Sequence, residues 1–149
     1  AASFLGGGVI TDNYRRKVLK RFQLDPRLRV LVYVPPGKLH TAEVDRAPVK
    51  PLAKLVDVAH ELALSGDVMR ALTLNGLLYS CALGHDVGIA LEALGAGALA
   101  AGLTGTGPAV VAIAKPDGVD KIKEAWRGKP GRIIMTKQSR EGERVEVEA

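Results

Sequence analysis

From Leu52 to Ala63, apolar side chains recur at positions 52, 55, 56, 59, 62 and 63. This spacing lays one stripe along a helix. Pro51 suits the first turn of that helix and Gly66 its C-terminal stop. Asp67 is placed to cap a second helix, VMRALTLNGLLYSCALG, which Gly84 ends. Asp86 is placed to cap a third, VGIALEALGAGALAAG. Gly88, Gly95 and Gly97 weaken this third helix in isolation, and their density calls for a neighbour packed close. Elsewhere the period shortens. RVLVYVP (29–35) has the β-branched and aromatic content of a buried strand, and Pro35-Pro36-Gly37 ends it. VITDN, PAVVAIAK and GRIIMTK read as further strands, and GVDKIKEAW as a short amphipathic helix. ERVEVE alternates, as a final edge strand or a frayed end would. The predicted order is strand, strand, three helices, strand, helix, strand. That is an α+β layout, with a mostly antiparallel sheet and helices packed on one face.

The least regular stretch is AGLTGTGPAVVAIAK, with three glycines in the six residues from Gly102 to Gly107. Glycine costs backbone entropy on folding, so such a loop needs a reason. Consecutive N–H groups in a glycine-rich turn form a concave nest for anions. Yet the loop lacks the lysine of a Walker loop, and it precedes a strand where phosphate loops precede a helix. On these residues alone, a tight turn from helix to strand is the simpler reading.

Composition narrows the classes. With 149 residues, 47% hydrophobic and 25% charged, the chain is long enough for one domain with a real core. Aromatics are only 4%, so Leu, Val, Ile and Ala must fill that core. A net charge of +5 fits a protein that handles phosphates or nucleic acid, and equally a plain solvated surface. Cys81 is the sole cysteine. It excludes an internal disulfide framework, points to a reducing cytoplasm, and is expected in the core because its helix is apolar. His40, His60 and His85 show no metal-ligand spacing, so no metal site is expected from them. His60 is expected to be structural, and His40 sits near Lys38 where it can meet an anion. No apolar run is long enough to span a membrane, and no signal segment opens the chain. The basic run RRKVLKR is expected to form a solvated face. The opening AASFLGGG reads as the end of a helix with no lead-in, as if an element began before Ala1.

Three longer stretches carry a resemblance. GLTGTGPAVVAI after an alanine-rich helix resembles the third motif of the GHMP kinases. AASFLGGGVITDN resembles the segment that ends their catalytic helix, and LNGLLYSCALG resembles a helix of mevalonate-kinase-like members. Within that superfamily, ASFLGGGVITDN, VLVYVPPGKLHTAEVD and EALGAGALAAGLTGTGPA are most similar to the archaeal shikimate kinases. The likeness covers essentially all 149 residues. It implies a ferredoxin-like GHMP kinase C-terminal domain spanning 1–149, with the N-terminal ATP-loop domain missing from this chain.

The resemblance also implies an activity, in which ATP and shikimate give ADP and shikimate 3-phosphate, with Mg2+ bridging the phosphates. Its long glycine- and serine-rich phosphate loop has no match here. Its catalytic Asp is expected just upstream of Ala1, so no catalytic residue is assigned and this chain alone is expected to be inactive. Thr104, Gly105, Thr106 and Gly107 would support the nucleotide and its phosphates. A Thr and an Arg that bind substrate carboxylate in homoserine-kinase-like relatives fall near Thr41 and Arg46. A bidentate arginine suits such a carboxylate. Asp12 can reach substrate hydroxyls or close a turn on its own backbone, as can Asn13. Asn75, a poor helix former in mid-helix, can bond near substrate or satisfy a helix contact. The alternatives are homoserine kinase or another GHMP small-molecule kinase, a basic ferredoxin-like RNA-binding module, and a dimerisation module. For RNA, the strands offer only Tyr33 as a stacking aromatic. The expected partners are thus shikimate, ATP and the missing N-terminal domain, with no nucleic acid and no membrane.

Overall fold

The computed structural model describes residues 7–12, 14–37, 44–139 and 141. Among these residues, six strands and four α-helices follow in order: β1 Gly8–Asp12, β2 Lys17–Phe22, β3 Arg29–Val34, α1 Ala53–Ser65, α2 Val68–Leu83, α3 Gly88–Gly95, β4 Ala100–Leu103, β5 Val110–Ala114, α4 Val119–Ala125 and β6 Arg132–Thr136. A 3-10 helix, Ala47–Leu52, leads into α1 and contains Pro51. β1 and β2 form an antiparallel ribbon of their own. The other four strands make one sheet in the order β4-β5-β3-β6, antiparallel throughout. Counted from β3, the path strand, helices, two strands, helix, strand is ferredoxin-like.

The helix limits follow the sequence closely. Asp67 caps α2, its Oδ1 accepting the Arg70 N–H at 3.3 Å. Asp86, expected to cap α3, instead sits one residue before the N-cap Val87, and its Oδ1 accepts the Gly88 N–H at 2.7 Å in a turn that leads into the helix. Gly66 and Gly84 end α1 and α2 with φ of 106° and 70°. Two strands differ from expectation. The tail of the expected third helix, Ala100–Leu103, is β4. Gly97, with φ of +96°, stops α3: its N–H meets Leu94 O and the Ala98 N–H meets Ala93 O. That is the Schellman pattern, so Gly97 acts as a stop signal rather than a weakness within a longer helix. The glycine loop therefore joins two strands instead of a helix and a strand. The basic run is also more than a solvated face. Lys17–Phe22 is β2, and the Lys20 ammonium donates to Leu64 O at 2.6 Å, tying the ribbon to the end of α1.

One sheet face carries Leu31, Tyr33, Ala101, Leu103, Val110, Ala112 and Ala114, and the core forms where α3 and α4 cover it. Ile89, Ala90 and Ala93 come from α3; Val119 and Ile122 come from α4, with Trp126 just beyond its end. The Trp126 Nε1–H donates to Ile89 O at 2.9 Å, and its ring lies 5.7 Å from that of Tyr33. Tyr33 is only 5% exposed, so the aromatic expected on the central strand does not face solvent for base stacking. α1 packs on α2 rather than on the sheet.

α2 instead runs along the outer strand β4. A Cβ at Gly76 would stand 2.4 Å from the Gly102 Cα, and a Cβ at Gly102 would stand 2.9 Å from both the Gly76 Cα and Leu72 O. Helix and strand thus meet backbone to backbone. The Ala101 N–H donates to Thr73 Oγ1 at 3.2 Å, so α2 also satisfies a donor of an edge strand. The buried stripe of α2 is therefore Ala71, Gly76 and Ser80. Cys81, one position further round the helix, is exposed rather than in the core.

Gly76→Ala should lower the urea midpoint by the equivalent of about 1–3 kcal/mol, since the added methyl meets backbone that cannot step aside. Gly95→Ala, with nothing within 4 Å of the new methyl, should be neutral or stabilising. Equal midpoints for the two variants would contradict the close approach of α2 to β4.

Candidate functional site

The β4–β5 hairpin presents Thr104, Gly105, Thr106 and Gly107 at its tip. The Thr104 N–H donates to Ala109 O at 2.9 Å and closes the hairpin. The Gly107 N–H donates back to Thr104 O at 2.9 Å, so the turn is internally bonded. Gly105 and Gly107 have φ of +56° and +81°, a region that suits glycine. The Gly105 N–H has no partner among the described residues, and a Cβ on Gly105 would meet nothing within 4 Å. The expected nest of consecutive amides is thus narrower than the sequence implies, because two of the four are committed inside the turn. What stays open is the tip at Gly105.

His85 approaches this loop from the corner between α2 and α3. Its Nε2 lies 2.8 Å from Thr106 O. A Cβ at Gly107 would stand 2.6 Å from that same nitrogen, so ring and loop are in contact. His85 also lines a cavity of about 290 Å³, together with Tyr33, Asp86, Ile89, Pro108 and Lys129. Lys129 Nζ bonds Glu92 Oε1 at 2.9 Å. That hydrogen bond holds the Lys129 pKa above its ordinary value, against the opposing effect of desolvation.

The expected substrate residues are scattered. Asp12, at the end of β1, accepts the N–H groups of Tyr14 and Arg15 at 3.0 Å each, and its other oxygen lies 3.8 Å from Arg15 Nε. It closes its own turn. Asn75 is exposed on α2 and lines a groove of about 330 Å³ with Val9, Ile10, Phe22 and His60. Arg46 is exposed at the start of the 3-10 helix and makes no ion pair among the described residues. Thr41, Asn13 and His40 lie outside the described residues. Arg46 and Asp12 line neither of the two cavities named here. His85 was the residue sequence reasoning missed. No local pattern joins it to a carbonyl 21 positions away.

Residues 59–132 match the family described as GHMP kinases C terminal. The chain carries a GHMP kinase C-terminal domain. The matched region holds α2, α3, the glycine loop and the start of β6. Over 145 residues the chain is 47% identical to a shikimate kinase of Methanothermobacter thermautotrophicus, covering 97% of this chain and 50% of that protein. A shikimate kinase of Methanosarcina mazei is 45% identical over 143 residues, 95% of this chain and 48% of that protein. The chain thus spans about half the length of the curated relatives it matches. Among solved structures, homoserine kinase from Cytophaga hutchinsonii superposes with a TM-score of 0.65 at 18% identity, over 95% of this chain and 51% of that one. That likeness speaks for the fold of this GHMP kinase domain alone. No helix among the described residues is long and apolar enough to cross a membrane.

Asp12→Ala should cost about 1 kcal/mol in a denaturant titration, because two turn amides lose their acceptor. Asp12→Asn keeps a side-chain oxygen and should recover most of that loss. If the alanine variant loses nothing, the carboxylate does not hold the turn.

Proposed function

We propose that this chain is the C-terminal half of an ATP-dependent shikimate kinase. The reading rests on one observation, the 47% identity to a shikimate kinase along nearly the whole chain. In the reaction, a shikimate hydroxyl attacks the γ-phosphorus of ATP, ADP leaves, and the hydroxyl proton is released. Such transfer depends on positioning and on donors aimed at the phosphoryl oxygens. The Gly105 N–H, open to approach at the tip of its hairpin, fits one such contact. ATP, when bound, supplies the phosphoryl group. Among the described residues no three His, Cys, Asp or Glu side chains gather as metal donors, so no magnesium ligand is assigned within them. The catalytic carboxylate and most nucleotide contacts are assigned to an N-terminal half such as the longer relatives have.

Arg46 is the candidate for the shikimate carboxylate, together with Thr41. Its guanidinium is exposed and makes no ion pair with a described residue, which leaves it available to a substrate anion. Asp12 has its oxygens engaged in its own turn, which weighs against a direct role with substrate hydroxyls. The exposed amide of Asn75 keeps such a role in this proposal.

A coupled ADP-release assay tests the reading. This chain alone should turn over nothing, while the chain extended upstream should turn over shikimate and neither homoserine nor mevalonate. In the extended protein, Arg46→Ala should raise the KM for shikimate roughly 10- to 100-fold, the worth of a charge-assisted hydrogen bond, and leave the KM for ATP unchanged. Turnover of homoserine in place of shikimate would retain the kinase class and overturn the substrate.

A further inference from the structure

We infer that His85 is a positioning residue that clamps the glycine loop in its working shape. Gly84 takes the left-handed conformation after α2, its N–H meeting Cys81 O, while the His85 N–H donates to Ser80 O at 2.9 Å. This is a Schellman cap, and it fixes the His85 backbone against the end of a 16-residue helix. On the other side, Asp86 Oδ1 accepts the Gly88 N–H at 2.7 Å and closes a turn into α3. The imidazole therefore projects from a corner locked at both ends.

Its target is the peptide between Thr106 and Gly107. The Thr106 carbonyl can only accept, so His85 Nε2 carries the proton between them. The N–H of the same peptide donates to Thr104 O. One peptide plane is thus bonded at both edges, in a loop whose glycines would otherwise let it turn freely. The close approach of Gly107 to the ring completes the clamp. A Cβ at that position would stand 2.6 Å from Nε2, 2.8 Å from Cδ2 and 2.9 Å from Leu103 Cδ1, so glycine is needed there for the ring as well as for its φ of +81°. Gly105, two residues before Gly107, remains open at the tip. His85 touches neither substrate nor nucleotide in this account; it orders a loop that does.

The functional half of this inference rests on the proposed kinase reading, so the test has two independent readouts. The first is amide hydrogen exchange of this chain, followed residue by residue. His85→Ala should speed exchange at the Gly107 N–H about tenfold, the factor that a net hydrogen bond of ordinary strength is worth, and leave the amides of α1 unchanged. His85→Gln, whose side-chain amide can still donate, should restore much of the protection. Unchanged exchange at Gly107, or faster exchange throughout the fold, would overturn the clamp. The second readout is the extended protein turning over shikimate. There, His85→Ala should raise the KM for ATP or lower kcat about tenfold, spare the KM for shikimate, and be rescued by His85→Gln. Faster exchange with unaltered ATP kinetics would leave the clamp standing and overturn its role toward the nucleotide. If the extended wild-type protein turns over nothing, the kinase reading fails and the role toward the nucleotide falls with it, while the exchange data still decide the clamp.

Discussion

Most of this fold hangs on the contact between Gly76 and Gly102. A helix ordinarily stands about 10 Å from its neighbour, with side chains between. Here two residues without side chains let α2 lie directly on β4. Once α2 is seated, Thr73 reaches the Ala101 N–H, and β4 is held between a helix and β5. α1 then packs chiefly on α2, and α3 is led back over the sheet by the corner at Gly84. The position of the glycine loop follows from the same contact, since Leu103 ends β4 and Thr104 begins the turn.

The loop shows how glycine serves opposite needs in one short stretch. Gly102 is needed for lack of a side chain, Gly107 for its φ and for the His85 ring, and Gly105 for its φ with open space above it. Three reasons lie within six residues, and none of them is general flexibility. The hydrogen bonds around the turn offset the conformational freedom that glycine brings. A flexible sequence thereby yields an ordered site.

The parts of this fold legible in the sequence were those with local causes. The stripe from Leu52 to Ala63, the cap at Asp67, and the stops at Gly66 and Gly84 are set by residues within a few positions of one another. β3 and β5 were legible because their apolar, β-branched content suits a buried sheet. β4 was not, because Ala100 and Ala101 carry a helical preference and only the partnership of β5 and α2 overrides it. Cys81 was misplaced because the buried stripe of α2 is made of small residues, so apolar content pointed to the wrong face. At the site, the TGTG turn was legible from its glycines, whereas its shape depends on His85, which is distant in sequence. Of the candidate substrate residues, the Asp12 turn had a local signature, and Arg46 rests on family likeness together with its exposure.

The exposure of Cys81 has a practical consequence. It is the only thiol in the chain, and it lies one helical turn before the His85 corner. A fluorophore or spin label can be attached there by ordinary thiol chemistry, with no engineered cysteine and no competing site. The protein thus comes with a built-in spectroscopic vantage point on the corner that grips its own glycine loop.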